Sequence, residues 1–151
     1  MLRLSKKMLF AIEAVLDIAY HASSEPVQSR EITRRQAIPK RYLEQALQQL
    51  VREQILIGVR GPRGGYRLAR ERRRITIGDI VRSVRKMETA DDPLKDDTGS
   101  ELGCSVVRPI WLGMQEEMMK HLDAVSIDDM CSKAQTVGIE SEGRKSLDFT
   151  I

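Results

Sequence analysis

Ile55-Leu56-Ile57-Gly58-Val59-Arg60-Gly61-Pro62-Arg63-Gly64-Gly65-Tyr66-Arg67-Leu68 is a pair of short apolar runs joined by a link rich in glycine and proline. Residues 55–59 and 66–68 predict two strands, and Gly61-Pro62-Arg63-Gly64-Gly65 predicts the hairpin loop between them. Residues 60–74 hold seven arginines (60, 63, 67, 70, 72, 73, 74) against one acid, Glu71. A protein core has no use for so many guanidinium groups. A narrow ribbon with glycine at its tip and arginine along its flanks suits a nucleic-acid groove. The missing side chains allow close approach, and the guanidinium forks meet phosphates.

Three helical patterns precede the hairpin. Ser5 is placed to cap a first helix reaching about Ala22, with Met8, Ile12, Val15 and Ala19 on one face. Ser23-Ser24-Glu25-Pro26 breaks it. A short second helix is expected from about Arg30 to Gln36, capped by Ser29. After the turn Ala37-Ile38, Pro39 sits where the first position of a helix tolerates proline. The third helix runs to about Glu53, with Leu43, Ala46, Leu47 and Leu50 as its core face. Two helices joined by a tight turn and followed by a hairpin make a winged helix-turn-helix. The opposite face of the third helix offers Lys40, Arg41, Glu44, Gln45, Gln48 and Arg52, with Tyr42 beside them. These groups can read base edges: arginine toward guanine, glutamine toward adenine, glutamate toward cytosine. A solvated helix surface would carry the same residue types, and the adjacent basic hairpin decides for recognition.

Charge divides along the chain in the same sense. The net charge of the whole is +3, but residues 1–86 carry 19 Lys+Arg against 8 Asp+Glu, and residues 87–151 carry 6 against 14. A half at +11 joined to a half at −8 is expected when one part meets a polyanion and the other does not. No apolar run is long enough to span a bilayer, and the amino terminus shows no signal-peptide pattern. Two cysteines make no disulfide framework, so reduced thiols in the cytoplasm are expected.

Thr76, with Asp79 three residues on, predicts a capped fourth helix that buries Ile80, Val81 and Val84. The stretch from Met87 to Gly103 holds six acids and little to bury, and reads as a flexible acidic loop. Pro109 is expected to open a long helix carrying Ile110, Trp111, Met114, Met118 and Leu122 along one side. That stripe is too apolar for a free surface and is the candidate homodimer seam, since a palindromic site calls for a two-fold protein. Ser126 caps a short last helix with Ile127, Met130, Cys131 and Ala134 on one face. The divisions expected are a DNA-binding domain at 1–86, a sensor loop at 87–103, dimerisation helices at 104–134 and a disordered tail at 135–151. The fold class is mainly α with a small β-hairpin wing, a winged helix-turn-helix with a long dimerisation helix.

Leu2-Arg3-Leu4-Ser5-Lys6, Tyr42-Leu43-Glu44-Gln45 and Val59-Arg60-Gly61-Pro62-Arg63-Gly64-Gly65-Tyr66-Arg67-Leu68 resemble the Rrf2-type (IscR/NsrR/RirA/CymR-like) bacterial transcription regulators. Ile75-Thr76-Ile77-Gly78-Asp79-Ile80 and the Trp111 helix match the same layout, so the resemblance covers roughly residues 2–134. It implies a homodimeric repressor or activator on a palindromic double-stranded operator, with repression expected. The third helix would lie in the major groove and the wing in the minor groove, with Arg60, Arg63 and Arg67 expected to hold the wing on phosphates or in that groove. Members that bind iron–sulfur clusters carry three cysteines in the loop before the dimer helix. Here that segment holds only Cys104, and Val106, Val107 and Arg108 stand where a ligand histidine would follow. No cofactor is expected, because one loop cysteine per subunit does not hold a conventional cluster. Cys104 is first a candidate redox thiol, with Arg108 one turn on to favour the thiolate and Glu101 opposing it. An inert remnant ranks second, and a mixed-ligand cluster shared between protomers third. Some members engage a partner enzyme, so a winged-helix protein-interaction module is the alternative function. Ala37 departs from the glycine common in the family's turn. Enzymatic chemistry has no constellation here: no nucleophile with a base, no paired carboxylates on an ordered element, no phosphate loop.

Overall fold

The computed structural model describes residues 4–88, 92–95 and 98–144. Among them the chain runs α1 (Lys6–Tyr20), α2 (Ser29–Gln36), α3 (Lys40–Arg52), β1 (Leu56–Val59), β2 (Gly65–Leu68), α4 (Ile77–Arg85), α5 (Arg108–Asp123) and α6 (Ile127–Thr136). A 3-10 turn at Arg72–Arg74 joins β2 to α4, and a π-helical turn at Gly103–Val107 leads into α5.

The core is built by α1, α3 and α4. Val15 and Ile18, Leu43, Leu47 and Leu50, and Ile80 and Val84 are all buried, and Ile127 of α6 joins them. Each such side chain contributes about 1.5–3 kcal/mol by leaving water, which is why the three- and four-residue apolar spacing sets which way each helix faces. Ser5 Oγ accepts from the Met8 N–H at 3.2 Å and starts α1. Thr76 with Asp79, and Ser126 with Asp129, form reciprocal capping boxes on α4 and α6.

The hairpin pairs Leu56 with Leu68 and Val59 with Gly65 in antiparallel register. Gly65 therefore belongs to the strand, not to the loop. A third segment braces it: Val27 and Tyr66 exchange backbone hydrogen bonds at 3.0 and 2.8 Å. That contact explains the glycine, since a Cβ on Gly65 would lie 2.4 Å from the Val27 carbonyl oxygen.

Several boundaries differ from the sequence reading, each for a local reason. The N-cap of α2 is Gln28 rather than Ser29, because the Glu31 carboxylate reaches back to accept from the Gln28 N–H at 2.8 Å. Pro39 is the N-cap of α3 rather than its first helical residue. α1 ends at Tyr20 with His21 as its C-cap, short of Ala22. Ala37 takes a left-handed conformation, φ 52° and ψ 34°, so the turn that glycine would ease is made at the cost of an alanine Cβ.

Helical structure opens at Glu101, about two turns ahead of Pro109. Proline has no N–H to donate and crowds the carbonyl four residues back. Just ahead of it the Arg108 N–H bonds the Gly103 carbonyl, five residues back, and this widened turn carries the helix on through the proline. The acidic loop is correspondingly shorter than 87–103; residues 89–91 and 96–97 lie outside the described residues.

The expectation of a disordered tail over 135–151 fails for residues 135–144, of which Gln135 and Thr136 close α6. Tyr20 Oη donates to the Ile139 carbonyl, Ser141 Oγ donates to the Tyr20 carbonyl at 2.6 Å, and the Glu142 N–H bonds His21 Nδ1 at 3.1 Å. Gly143 lies flat against the α1–α2 loop, where a Cβ would come within 2.1 Å of the Ala22 carbonyl oxygen. Polar sequence without period hid a segment that docks through hydrogen bonds rather than apolar burial. Residues 145–151, like 1–3 with Leu2 and Arg3, lie outside the described residues.

Candidate nucleic-acid interface

α3 turns its apolar stripe inward, which leaves Lys40, Arg41, Glu44, Gln45 and Gln48 exposed in a row. Lys40 and Glu44 stand 3.8 Å apart, one turn from each other. Tyr42 keeps one side of its ring toward solvent and leans on Phe10 of α1, ring centroids 6.0 Å apart. Arg52, at the far end, donates to Gln49 Oε1 at 3.0 Å, and Gln49 in turn donates to the Ser83 carbonyl at 3.1 Å. Arg52 thus orients a buried amide that ties α3 to α4, a role its exposed position did not announce.

On the wing, Arg60 and Arg63 are exposed. Arg63 has Glu25 3.9 Å away, an open pair of little energetic weight. Arg67 instead donates to the carbonyls of Ser23 and Ser24, bracing the hairpin against the α1–α2 loop. The arginine run divides further: Arg70 faces Asp79 at 3.8 Å and Arg72 pairs with Asp128 at 2.8 Å. Between the start of α2 and the wing lies an open groove of about 670 Å³ whose walls include Arg30, Arg60, Gly61 and Gly64. Backbone, guanidinium and a helix start face the same space, an arrangement suited to phosphate.

The position of α2 beneath this surface is fixed by a charged network that hydrophobic spacing could not reveal. Asp17, on the buried side of α1, accepts from Arg35 Nε at 2.9 Å and Nη2 at 2.7 Å, and from Gln36 Nε2 at 2.8 Å. The Asp17 side chain is 0 % exposed and that of Arg35 only 9 %. Arg35 also donates to Glu142 at 2.6 Å, and Arg34 to the same carboxylate at 2.9 Å. Hydrogen bonding to Asp17 holds the Arg35 guanidinium charged well beyond its ordinary range, against the opposing effect of burial. The Arg34 hydrogen bond pulls Glu142 below the usual carboxylate range, and burial pulls His21 down beside it. A lone aspartate inside Val15-Leu16-Asp17-Ile18-Ala19 was the available signal, since an acid on an apolar face needs a partner.

Known proteins share this fold. The family model described as Rrf2, iron-dependent transcriptional regulator, matches residues 4–133. The chain belongs to the Rrf2 family. It is 30% identical over 146 residues to the HTH-type transcriptional regulator IscR of Xenorhabdus nematophila, covering 91% of this chain and 84% of that one. The solved structure of T. potens IscR superposes with a TM-score of 0.72 at 30% identity, covering 92% of this chain and 93% of the other. CymR, the global cysteine regulator of B. subtilis, superposes at 0.69 with 26% identity, covering 88% and 98%. As an Rrf2 protein the chain is a DNA-binding transcriptional regulator with a winged helix, and not an enzyme.

A single chain brings fewer thiolates than a conventional iron–sulfur cluster takes. The chain has two cysteines, and among the described residues no three His, Cys, Asp or Glu side chains stand together as metal ligands. Cys131 is buried in the core, where loss of solvent pushes its thiol up, with Arg72 pulling the other way. Cys104 lies half-buried in the π-turn, its N–H bonded to the Ser100 carbonyl at 2.9 Å. Arg108 donates to the Thr98 carbonyl at 2.6 Å across the same turn.

On α5, Ile110, Trp111 and Met114 are 57 %, 36 % and 59 % exposed, while Met118 is half-buried and Leu122 packs on the chain's own core. Leu102, Val106 and Val107 extend the apolar face back through the π-turn. The sequence stripe is thus split between two surfaces. No helix among the described residues is long and apolar enough to cross a membrane.

Proposed function

We propose that the chain acts as a homodimeric repressor on a palindromic double-stranded operator, with α3 of each protomer in the major groove and the wing in the adjacent minor groove. The observation that carries this is the exposed polar row on α3 beside an arginine-bearing hairpin, both mounted on one buried core. Arg41→Ala or Gln45→Ala is expected to cost about 1–3 kcal/mol on the specific site and to relax sequence preference at one base pair. Arg63→Ala should weaken binding to every sequence and flatten the salt dependence. Gel shifts across a salt series check both. An interaction module that merely kept the fold would show no salt-dependent DNA affinity to lose.

The signal, in this reading, enters at Cys104 as a thiol. An oxidised or alkylated sulfur there presses on the turn that leads into α5, the helix with the uncovered apolar face. Cys104→Ser is expected to bind DNA as the wild type does and to ignore oxidant, while the wild type changes affinity. Protein purified without oxygen should be colourless. Brown protein containing iron and sulfide would replace this reading with a mixed-ligand cluster, and a serine variant that still responds to oxidant would remove Cys104 from sensing altogether.

A further inference from the structure

A cleft of about 170 Å³ lies between the end of α1, the Arg72–Arg74 turn, α6 and the C-terminal turn. Its floor includes Cys131 and Ser141, 4 % and 7 % exposed, and its rim carries Arg72, Ser132, Gln135 and Arg144. Among the described residues no carboxylate lines it. Arg72 is held by Asp128, which takes its Nε at 2.8 Å. Ser141 is oriented at both ends: its hydroxyl donates to the Tyr20 carbonyl at 2.6 Å and accepts from the Arg144 N–H at 3.3 Å. Burial pushes the Cys131 thiol up, with Arg72 pulling the other way. Arg72, Arg144, Gln135 and Ser132 line one small polar space, and guanidinium forks match the oxygens of a carboxylate or phosphate. The volume is below that of drug-sized pockets, about 300–1,000 Å³, which leaves room for a compact ion and none for a nucleotide.

We infer that this cleft binds a small oxyanion, either a compact carboxylate or a tetrahedral ion of the phosphate and sulfate type, with Arg72 and Arg144 as its charged ligands. The turn that carries Arg144 also carries Glu142, which grips Arg34 and Arg35 of α2. A bound ion that fixes Arg144 steadies the mount of α2, a consequence that rests on the DNA-binding reading above.

The test is a titration of the isotope-labelled full chain, at constant ionic strength, with sodium sulfate, sodium malonate and sodium chloride, read by amide chemical shifts. Saturable shifts at Ser132, Gln135 and Arg144 are expected from sulfate or malonate, and which of the two saturates identifies the tetrahedral or the carboxylate class. Arg144→Gln should bind about tenfold more weakly, the loss of one hydrogen bond to a charged group. Ser132→Asp, which sets a carboxylate on the exposed rim, should abolish saturation without unfolding the helix. Shifts that fail to saturate, that chloride reproduces, or that survive Ser132→Asp overturn the site. No DNA is present in this titration, so a failed operator reading leaves it intact. An ion that saturates the cleft but leaves operator affinity unchanged in parallel gel shifts keeps the site and removes the coupling.

Discussion

Asp17→Ala is expected to lower folding stability by roughly 3–5 kcal/mol, the cost of leaving a buried guanidinium without its partner. Arg35 has little access to water, and its Nε and Nη2 would lose both oxygens of Asp17 at once. Gln36 would lose its acceptor as well. Glu142 still touches Arg35 at 2.6 Å, but that carboxylate is 44 % exposed and carries only part of the load. Against a total stability of about 5–15 kcal/mol for a domain, this is a large share. Thermal unfolding followed by circular dichroism should show a melting point lower by about 10 °C or more. Glu142→Gln, at the open end of the network, should cost less than about 1 kcal/mol. Equal losses for the two variants would mean that burial does not set the strength of this network. A loss below about 1 kcal/mol for Asp17→Ala would mean that Arg35 finds water or another acceptor easily.

The fate of Asp17 marks the limit of what the sequence discloses. Leu43, Ala46, Leu47 and Leu50 repeat at helical spacing, and each is buried, so the core face of α3 and the exposed row of bases-facing candidates opposite it were legible together. The caps at Ser5, Thr76 and Ser126 were legible for the same reason, because one side chain three residues from a partner suffices to start a helix. Contacts between residues far apart in the chain leave no such period. The Asp17–Arg35–Glu142 network joins three separate segments, and the docking of residues 139–144 depends on hydroxyls, carbonyls and a glycine rather than on apolar spacing. The arginine run was legible as charge but not as geometry. Of its members, Arg60 and Arg63 are exposed, Arg67 braces a loop, and Arg70 and Arg72 face acids of α4 and α6. Pro109 misled for a related reason: proline often opens a helix, and only the π-turn before it lets the helix begin earlier.

Met114→Glu is expected to turn a dimer into a folded monomer and to lower affinity for a palindromic operator by roughly 10²–10⁴, the gain that linking two half-site contacts supplies. Met114 is the position to choose because its side chain is more than half exposed in the single chain, so a carboxylate there costs the monomer nothing. Met118 and Leu122 would confuse the result, since Met118 is half-buried and Leu122 packs against the chain's own core. In a seam formed by Ile110, Trp111 and Met114 of two protomers, the same carboxylate would be buried without a partner, which an apolar interface does not tolerate. Light scattering would report the mass and circular dichroism the fold, while gel shifts on a full palindrome and on a single half-site would separate assembly from recognition. The half-site affinity should be unchanged, because α3 and the wing lie on elements the substitution does not touch. A wild-type chain that is monomeric in solution, or a Met114→Glu chain that still dimerises and grips the palindrome as before, would show that the exposed face of α5 serves some other contact and that two-fold symmetry, if present, is made elsewhere.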